Sequence, residues 1–548
     1  MRPLFSPEGP PAQVYAGRAG TGTDIFAKGG RKRPQTLAFS VFFAIILCCI
    51  ALHRPPRLDG RAAKTEVFFM KHIAKNTAPA DNFLGTEAPF RLVFKLAIPS
   101  MLAQFVNVLY SIVDRIYIGH MEGVGTVALA GVGICGPLVT LLSSFGTWVG
   151  LGGAPAMSIK MGEKDFAGAR KILSNGALLL AVMSVLLTVA ALAFKEPLLR
   201  LFGAGGESAA YASEYFSWYA AGTVFAVMTT GLNAYIVGQG RGKAGMLTVC
   251  IGAVANIALD PLFIYAFDMG VAGAALATVL SQALSAAFTV FFLLGRSADV
   301  KLSFGGYDGK TMGRILTLGL SPFLIIATDS AMLLALNGVL RAYGGSRADE
   351  LISAATIMLS FMQIVTLPLG GISGGTQPAL SYNYGANDPA RVKRCERAIL
   401  GMCIAYTAVM FLVARFGAGG VVSVFTSDPS LKAESVRFIH IYTLMIIPLA
   451  FQYALVDGLT ALGIAPVAIT LSLFRKIALM LTLTLLLPRF FGAEAAFWAE
   501  PIADLVGSLV STVVFFSLIN KILRKRDLAV KRLAAERELM QKMRDGLA

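Results

Sequence analysis

Apolar residues run through this chain in about twelve long blocks separated by short polar stretches. Most blocks reach the roughly 20 residues that a helix needs to cross a bilayer core. Approximate limits are 92–118, 126–152, 170–193, 208–237, 244–267, 271–294, 313–341, 351–380, 396–415, 432–460, 465–487 and 493–519. The pattern predicts an all-α integral membrane protein of twelve transmembrane helices. A further apolar run at 37–52 is short for a span, follows a basic KGGRKR stretch and lacks a clear small-x-small cleavage site. The expectation here is that translation starts at Met70 and that residues 1–69 form an upstream extension.

Polar positions inside the spans are few, and their spacing is informative. In span one, Gln104, Asn107, Ser111 and Asp114 follow one another by 3, 4 and 3 residues. That places them, with Tyr110 nearby, along one helical face that would line a polar cavity. Span five reads AVANIALDPLFIYAF. Asn256 and Asp260 stack at i and i+4. Pro261 removes a backbone donor and is expected to bend the helix. A carboxylate at the centre of a span costs roughly 2.5–3.5 kcal/mol on insertion scales and marks function by default. Counting residues from the span ends puts Asp114, Asp260 and Thr278 of span six in one layer, with Asn256 about a turn away. These four are the candidate cation site. A structural cluster of interhelical hydrogen bonds is the alternative. Asp329, mid-span in helix seven, is a candidate for the substrate path. Asp457, near a span end, reads as a solvated residue. Arg475 and Lys476, well inside span eleven, face the cleft, pair with a carboxylate, or snorkel.

The chain also repeats itself. Pro99 in KLAIPSML matches Pro322 in TLGLSPFL, and 322 − 99 = 223. The same separation aligns GGAPAMSIKMGEKDFAGARK with GTQPALSYNYGANDPARVKR, and Gly240 with Gly463. Six spans per half keeps both halves in one orientation, so two parallel repeats surround a central cleft, a transporter arrangement. The divisions expected are 1–88 as an N-terminal extension, 89–295 as an N-lobe and 296–312 as an inter-lobe loop, then 313–520 as a C-lobe and 521–548 as a charged tail. The two acids inside spans one and five have no acidic partners in the second half: Asp114 aligns with Asn337 and Asp260 with Leu483.

Charge adds orientation. Only 15% of residues are charged, against about 25% in soluble domains, and the formal net charge is +16. The basic residues gather in loops two-three, six-seven and eight-nine and in the tail, and the loops between these are poorer. By the positive-inside rule both ends of the bundle are cytoplasmic, in an inner (plasma) membrane, and the charge is a topology signal rather than a nucleic-acid patch. None of the six cysteines forms a C-x-x-C pair and the four histidines are scattered, so no metal site is expected beyond a possible Na+ among the oxygens above. VGQGRGKAG at 237–245 fails the phosphate-loop pattern because Val237 and Ala244 stand where glycine and Ser/Thr are required. No Ser/His/Asp or H-E-x-x-H arrangement appears, so an enzyme is not expected, nor a cofactor or an ATPase subunit.

Together NFLGTEAPFRLVFKLAIPSML, VDRIYIGH, NIALDPLFI and GGTQPALSYNYGA, within about 82–520, resemble the multidrug and toxic compound extrusion (MATE) family, closest to its bacterial MepA-like branch. The resemblance implies antiport of amphipathic, often cationic, small molecules against H+ or Na+. It implies a cation site at Asp114, Asn256, Asp260 and Thr278, and bending of span one at Pro99. A monomer in the lipid bilayer is expected. The alternative on the same fold is a flippase for lipid-linked precursors or a specific metabolite exporter.

Overall fold

A computed structural model describes residues 80–545 apart from 122, 123, 203 and 427; the 37–52 run and the Met70 start lie outside the described residues. Helix is the only regular structure among them. In chain order the first half comprises α1 (Ala80–Thr86), α2 (Pro89–Gly119), α3 (Gly125–Gly162), α4 (Phe166–Ala193), α5 (Lys195–Leu201), α6 (Ser208–Ala221), α7 (Thr223–Gly238), α8 (Gly242–Pro261) and α9 (Gly270–Leu294). The second half comprises α10 (Gly309–Tyr343), α11 (Ala348–Gly385), α12 (Pro389–Leu412), α13 (Ala418–Phe425), α14 (Pro429–Tyr442), α15 (Ile446–Ala461), α16 (Ala465–Leu473), α17 (Thr482–Phe491) and α18 (Ala499–Asp545). Among the described residues, ten helical stretches are long and apolar enough to cross a membrane. The pairs α6–α7 and α14–α15, bent by 55° and 50°, bring the total to twelve if each is one span.

The repeat is physical. Shifted by the same separation, α3 falls on α11 and α7 on α15, residue for residue at both ends. Asp165 caps α4 by accepting from the Gly168 amide at 2.8 Å, and Asp388 caps α12 from the Arg391 amide at 2.9 Å. Just before each cap the chain turns through a left-handed residue, Lys164 (φ 60°) and Asn387 (φ 59°). Ser158 ties α3 to α7 by donating to the Gly238 carbonyl at 2.5 Å, and Ser381 donates to Ala461 at 2.8 Å. Losing either cap should cost about 1 kcal/mol, measured as a lower unfolding midpoint for Asp165→Ala or Asp388→Ala. The Asp165 pKa is held below the usual carboxylate value chiefly by the Gly168 amide and then by Lys160. Its share of stability is therefore present above the ordinary carboxylate pKa and fades as pH falls through the lowered one.

The two halves meet at the end that carries the basic loops and part at the other. One apolar core runs through both lobes at the basic end, from Leu92, Val149 and Met157 to Leu380, Leu459 and Leu523. At the opposite end each lobe has its own core, around Ile118, Tyr215 and Phe216 in the first and around Leu340, Met358 and Phe438 in the second. Absent side chains permit the joint. A Cβ on Gly162 would lie 2.0 Å from the Tyr382 carbonyl oxygen, and one on Gly385 would lie 2.1 Å from that of Ile159. These two contacts are mates under the repeat, as a pseudo-two-fold axis requires. Trp148 stacks on Phe323 at 4.5 Å and donates to the Leu316 carbonyl at 2.7 Å. Arg526 of α18 bridges to Glu163 at 2.7 Å and to the Gly385 carbonyl at 2.9 Å. α1 closes the same end, where Asn383 and Arg391 donate to the Leu84 carbonyl at 3.1 and 3.3 Å. Toward the other end, an added Cβ on Gly133, Gly136 or Gly338 would meet nothing within 4 Å.

Candidate functional site

Three helices of the first lobe bring the predicted polar layer together. Asn256 and Asp260 lie one turn apart on α8 and are 2% and 0% exposed. The Asn256 amide donates to Asp260 Oδ1 at 3.0 Å and to Thr278 Oγ1 of α9 at 3.4 Å. Asp114 of α2 lies within electrostatic range of Asp260. Pro261 marks the end of regular α-helix: residues Leu262–Ala266 widen into a π turn in which the Phe267 amide reaches back to Leu262 at 3.0 Å. The disturbance at Pro261 is this widening, within a helical stretch, Gly242–Ala266, that runs on as one span. Pro99, by contrast, sits buried inside an unbroken α2.

The site is rich in unused acceptors. Asp114 Oδ1, Asp260 Oδ2 and Asn256 Oδ1 are all buried and have no hydrogen-bond partner. Buried oxygens without donors are costly. A proton on one carboxylate, or a hard monovalent cation held by carboxylate, amide and hydroxyl oxygens, answers that deficit. Tyrosines wall the site: Tyr110 lies in the field of both carboxylates and Tyr215 near Asp114 and Thr278.

Asn256 and Thr278 also line a cavity of about 340 Å³, near the lower end of the range for small-molecule sites. Gln104, Asn107 and Tyr110 contribute from α2, Thr229 and Asn233 from α7, and Gln282 and Ser285 from α9; Gly371 and Gln377 of α11 close it from the second lobe. Among the described residues no charged side chain lines it. Ser111 departs from the expected lining: its hydroxyl turns back to the Asn107 carbonyl of its own helix at 3.0 Å. Asp329 departs as well. It lines neither described cavity and is held by Lys476 in an ion pair within the second lobe.

The second lobe carries charge that residue spacing alone left unassigned. Arg475, 5% exposed, binds Asp504 at 2.7 Å and Glu500 at 3.3 Å, so it pairs rather than snorkels. The visible signal was the i, i+4 acid pair in EPIAD, at the apolar start of span twelve. Asp457 is half-buried and accepts from Ser373 at 2.5 Å, and the buried Glu396 of α12 lies within its field. Packing across the lobe and a small cavity, rather than open solvent at a span end, surround it.

Comparison with known proteins places this geometry. A model of the MatE family matches residues 99–262 and 326–486. The multidrug export protein MepA of Staphylococcus haemolyticus (strain JCSC1435) is 23% identical over 437 residues, 79% of this chain and 94% of the relative. That of Staphylococcus aureus (strain N315) is 23% identical over 439 residues, covering 79% and 95%. Among solved structures, a MATE in complex with MaL6 superposes with a TM-score of 0.76 at 22% identity, covering 82% of this chain and all of that one. An outward-facing multidrug resistance MATE family transporter of the MOP superfamily gives 0.75 at 21%, covering 82% and 100%. A MOP superfamily transporter from Pyrococcus furiosus gives 0.76 at 22%, covering 82% and 99%. Twelve spans in two repeats joined at one end, with a family match that runs through both halves, identify the chain as a member of the MatE family.

Proposed function

We propose that this chain is a secondary active efflux transporter that exports amphipathic or cationic compounds from the cell in exchange for H+ or Na+. The observation that carries the reading is the shared wall: Asn256 and Thr278 face the cavity while Asn256 holds Asp260. Filling the carboxylate layer redirects the Asn256 amide and so alters the substrate wall. Ion and substrate then bias the same two-state equilibrium, which is what coupling requires. With the basic loops cytoplasmic, the joined end faces the cytoplasm and the parted end faces outside, a state poised to take up an external cation and release substrate. The uncharged, mixed polar lining suits varied amphipaths better than one fixed anion.

The test is ethidium efflux from cells lacking their own pumps, with sodium or a proton uncoupler varied. Efflux that fails on sodium removal identifies Na+ as the ion, and failure with the uncoupler alone identifies H+. Efflux from expressing cells that matches empty-vector cells in every arm removes the multidrug reading and leaves a metabolite or lipid precursor as the cargo.

A further inference from the structure

The second lobe contains the symmetry mate of the substrate cavity, and it is filled with charge. A cavity of about 70 Å³ is lined by Gln452, Tyr453, Asp457, Ser472, Arg475 and Lys476 among others. Under the repeat these stand where Thr229, Thr230, Ala234, Val249, Gly252 and Ala253 line the larger cavity of the first lobe. The fold therefore tolerates small neutral residues at every one of these positions, and the charges are additions. The acids facing Arg475 are additions too: Glu500 and Asp504 align with Ala277 and Ser281. Gly507, on the same face of α18, makes room for the Arg475 stem, since a Cβ there would lie 2.8 Å from Arg475 Cγ. Arg475 and Lys476 sit on a π-helical stretch, Phe474–Leu481, a distortion found often at functional sites.

Charge does not balance in this pocket. Arg475 and Lys476 face Asp329, Glu500 and Asp504. Asp457 on the cavity wall adds to the acidic excess, and the other groups in the field, Tyr442 and Tyr453, bring no positive charge. Glu500 and Asp504 are 5% and 0% exposed, and Glu500 Oε2 and Asp504 Oδ2 are buried without partners. Two carboxylates one turn apart against a single guanidinium, deep in a bilayer-spanning lobe, cannot both stay ionised cheaply.

We infer that the second lobe holds its own exchangeable proton, shared between Glu500 and Asp504 and reached through the Arg475–Lys476 cavity. A proton arriving from water in the cavity forms one O–H bond on either carboxylate and leaves the other as the partner of Arg475. On release it returns to water and the cluster regains its extra negative charge. The inference goes beyond the first-lobe reading and does not require it.

Infrared difference spectroscopy on the purified full chain, stepping from acid to alkaline pH in H2O and D2O, tests it without any substrate. The expected result is a carboxylic acid C=O band that titrates, shifts in D2O and persists in Asp114→Asn/Asp260→Asn. Asp504→Asn removes one such acid per chain, because Glu500 alone then pairs with Arg475 and the cluster has, fully ionised, the same net charge as the wild type with its proton bound; for the same reason this variant should fold. Arg475→Gln should instead add one acid. If Asp504→Asn fails to elute as a folded monodisperse species, Glu500→Gln makes the same test. An unchanged band in Asp504→Asn and Glu500→Gln overturns the assignment, and a band that never titrates in the wild type overturns the exchange.

Discussion

Asp260→Asn should abolish ion-driven efflux while the protein still inserts and folds, and Asp114→Asn should do the same. The substitution keeps size and hydrogen-bonding shape but removes the charge that calls for a proton or cation. The amide of Asn256 keeps an acceptor at position 260, so the local helix contact survives. What is lost is the driving term. A cation carried inward gains about 2.3 kcal/mol per 100 mV, which for a neutral substrate supports roughly a 50-fold gradient at about 1.4 kcal/mol per tenfold. Steady-state exclusion of a neutral dye should therefore collapse by about that factor, and exclusion of cationic ethidium should collapse by whatever gradient the ion's own concentration difference sustains. Substrate binding to purified protein should persist, because neither acid lines the described cavity. Full efflux by both variants at equal expression would show that the carboxylates are only structural.

The first-lobe site was legible because its partners obey short-range rules. Asn256 and Asp260 are one turn apart, and a depth count sufficed to bring Thr278 beside them. The same counting placed Gln104, Asn107 and Tyr110 on the cavity. It failed at Ser111, since a hydroxyl in a helix can satisfy itself on its own backbone, which a face assignment does not register. It was silent on the Arg475 partners because they come from another helix, and periodicity within one helix carries no information about which face of a second helix will meet it. The repeat, in turn, showed as a separation of 223 that helix ends in the two halves keep, Gly125–Gly162 against Ala348–Gly385, although the span limits read from hydropathy fall short of those ends. Which end of the lobes is closed was out of reach: the same glycines and the same apolar faces exist in either state, and only their contacts tell the states apart.

Those contacts yield the second large effect. Gly162→Leu, or its mate Gly385→Leu, should push the lobes apart at the basic end and stall transport. At both positions the obstructing atom is a backbone carbonyl oxygen, 2.0 Å from the Cβ on Gly162 and 2.1 Å on Gly385, so no side-chain rotamer can relieve the clash. Overpacking of this kind costs about 1–3 kcal/mol, comparable with the few kcal/mol that separate two transport states. Spin labels at His120→Cys and Tyr343→Cys sit at repeat-related tips of α2 and α10, at the parted end. Their separation should fall in the glycine variants as the lobes rock about the wedge, and dye efflux should fall with it. Gly133→Ala lies on the same helix α3 as Gly162, but its new Cβ meets nothing within 4 Å, so it should leave both readouts at wild-type values. An unchanged distance distribution together with normal efflux in Gly162→Leu would mean that the glycine joint is not the surface that opens, and that alternation proceeds by bending within a lobe instead.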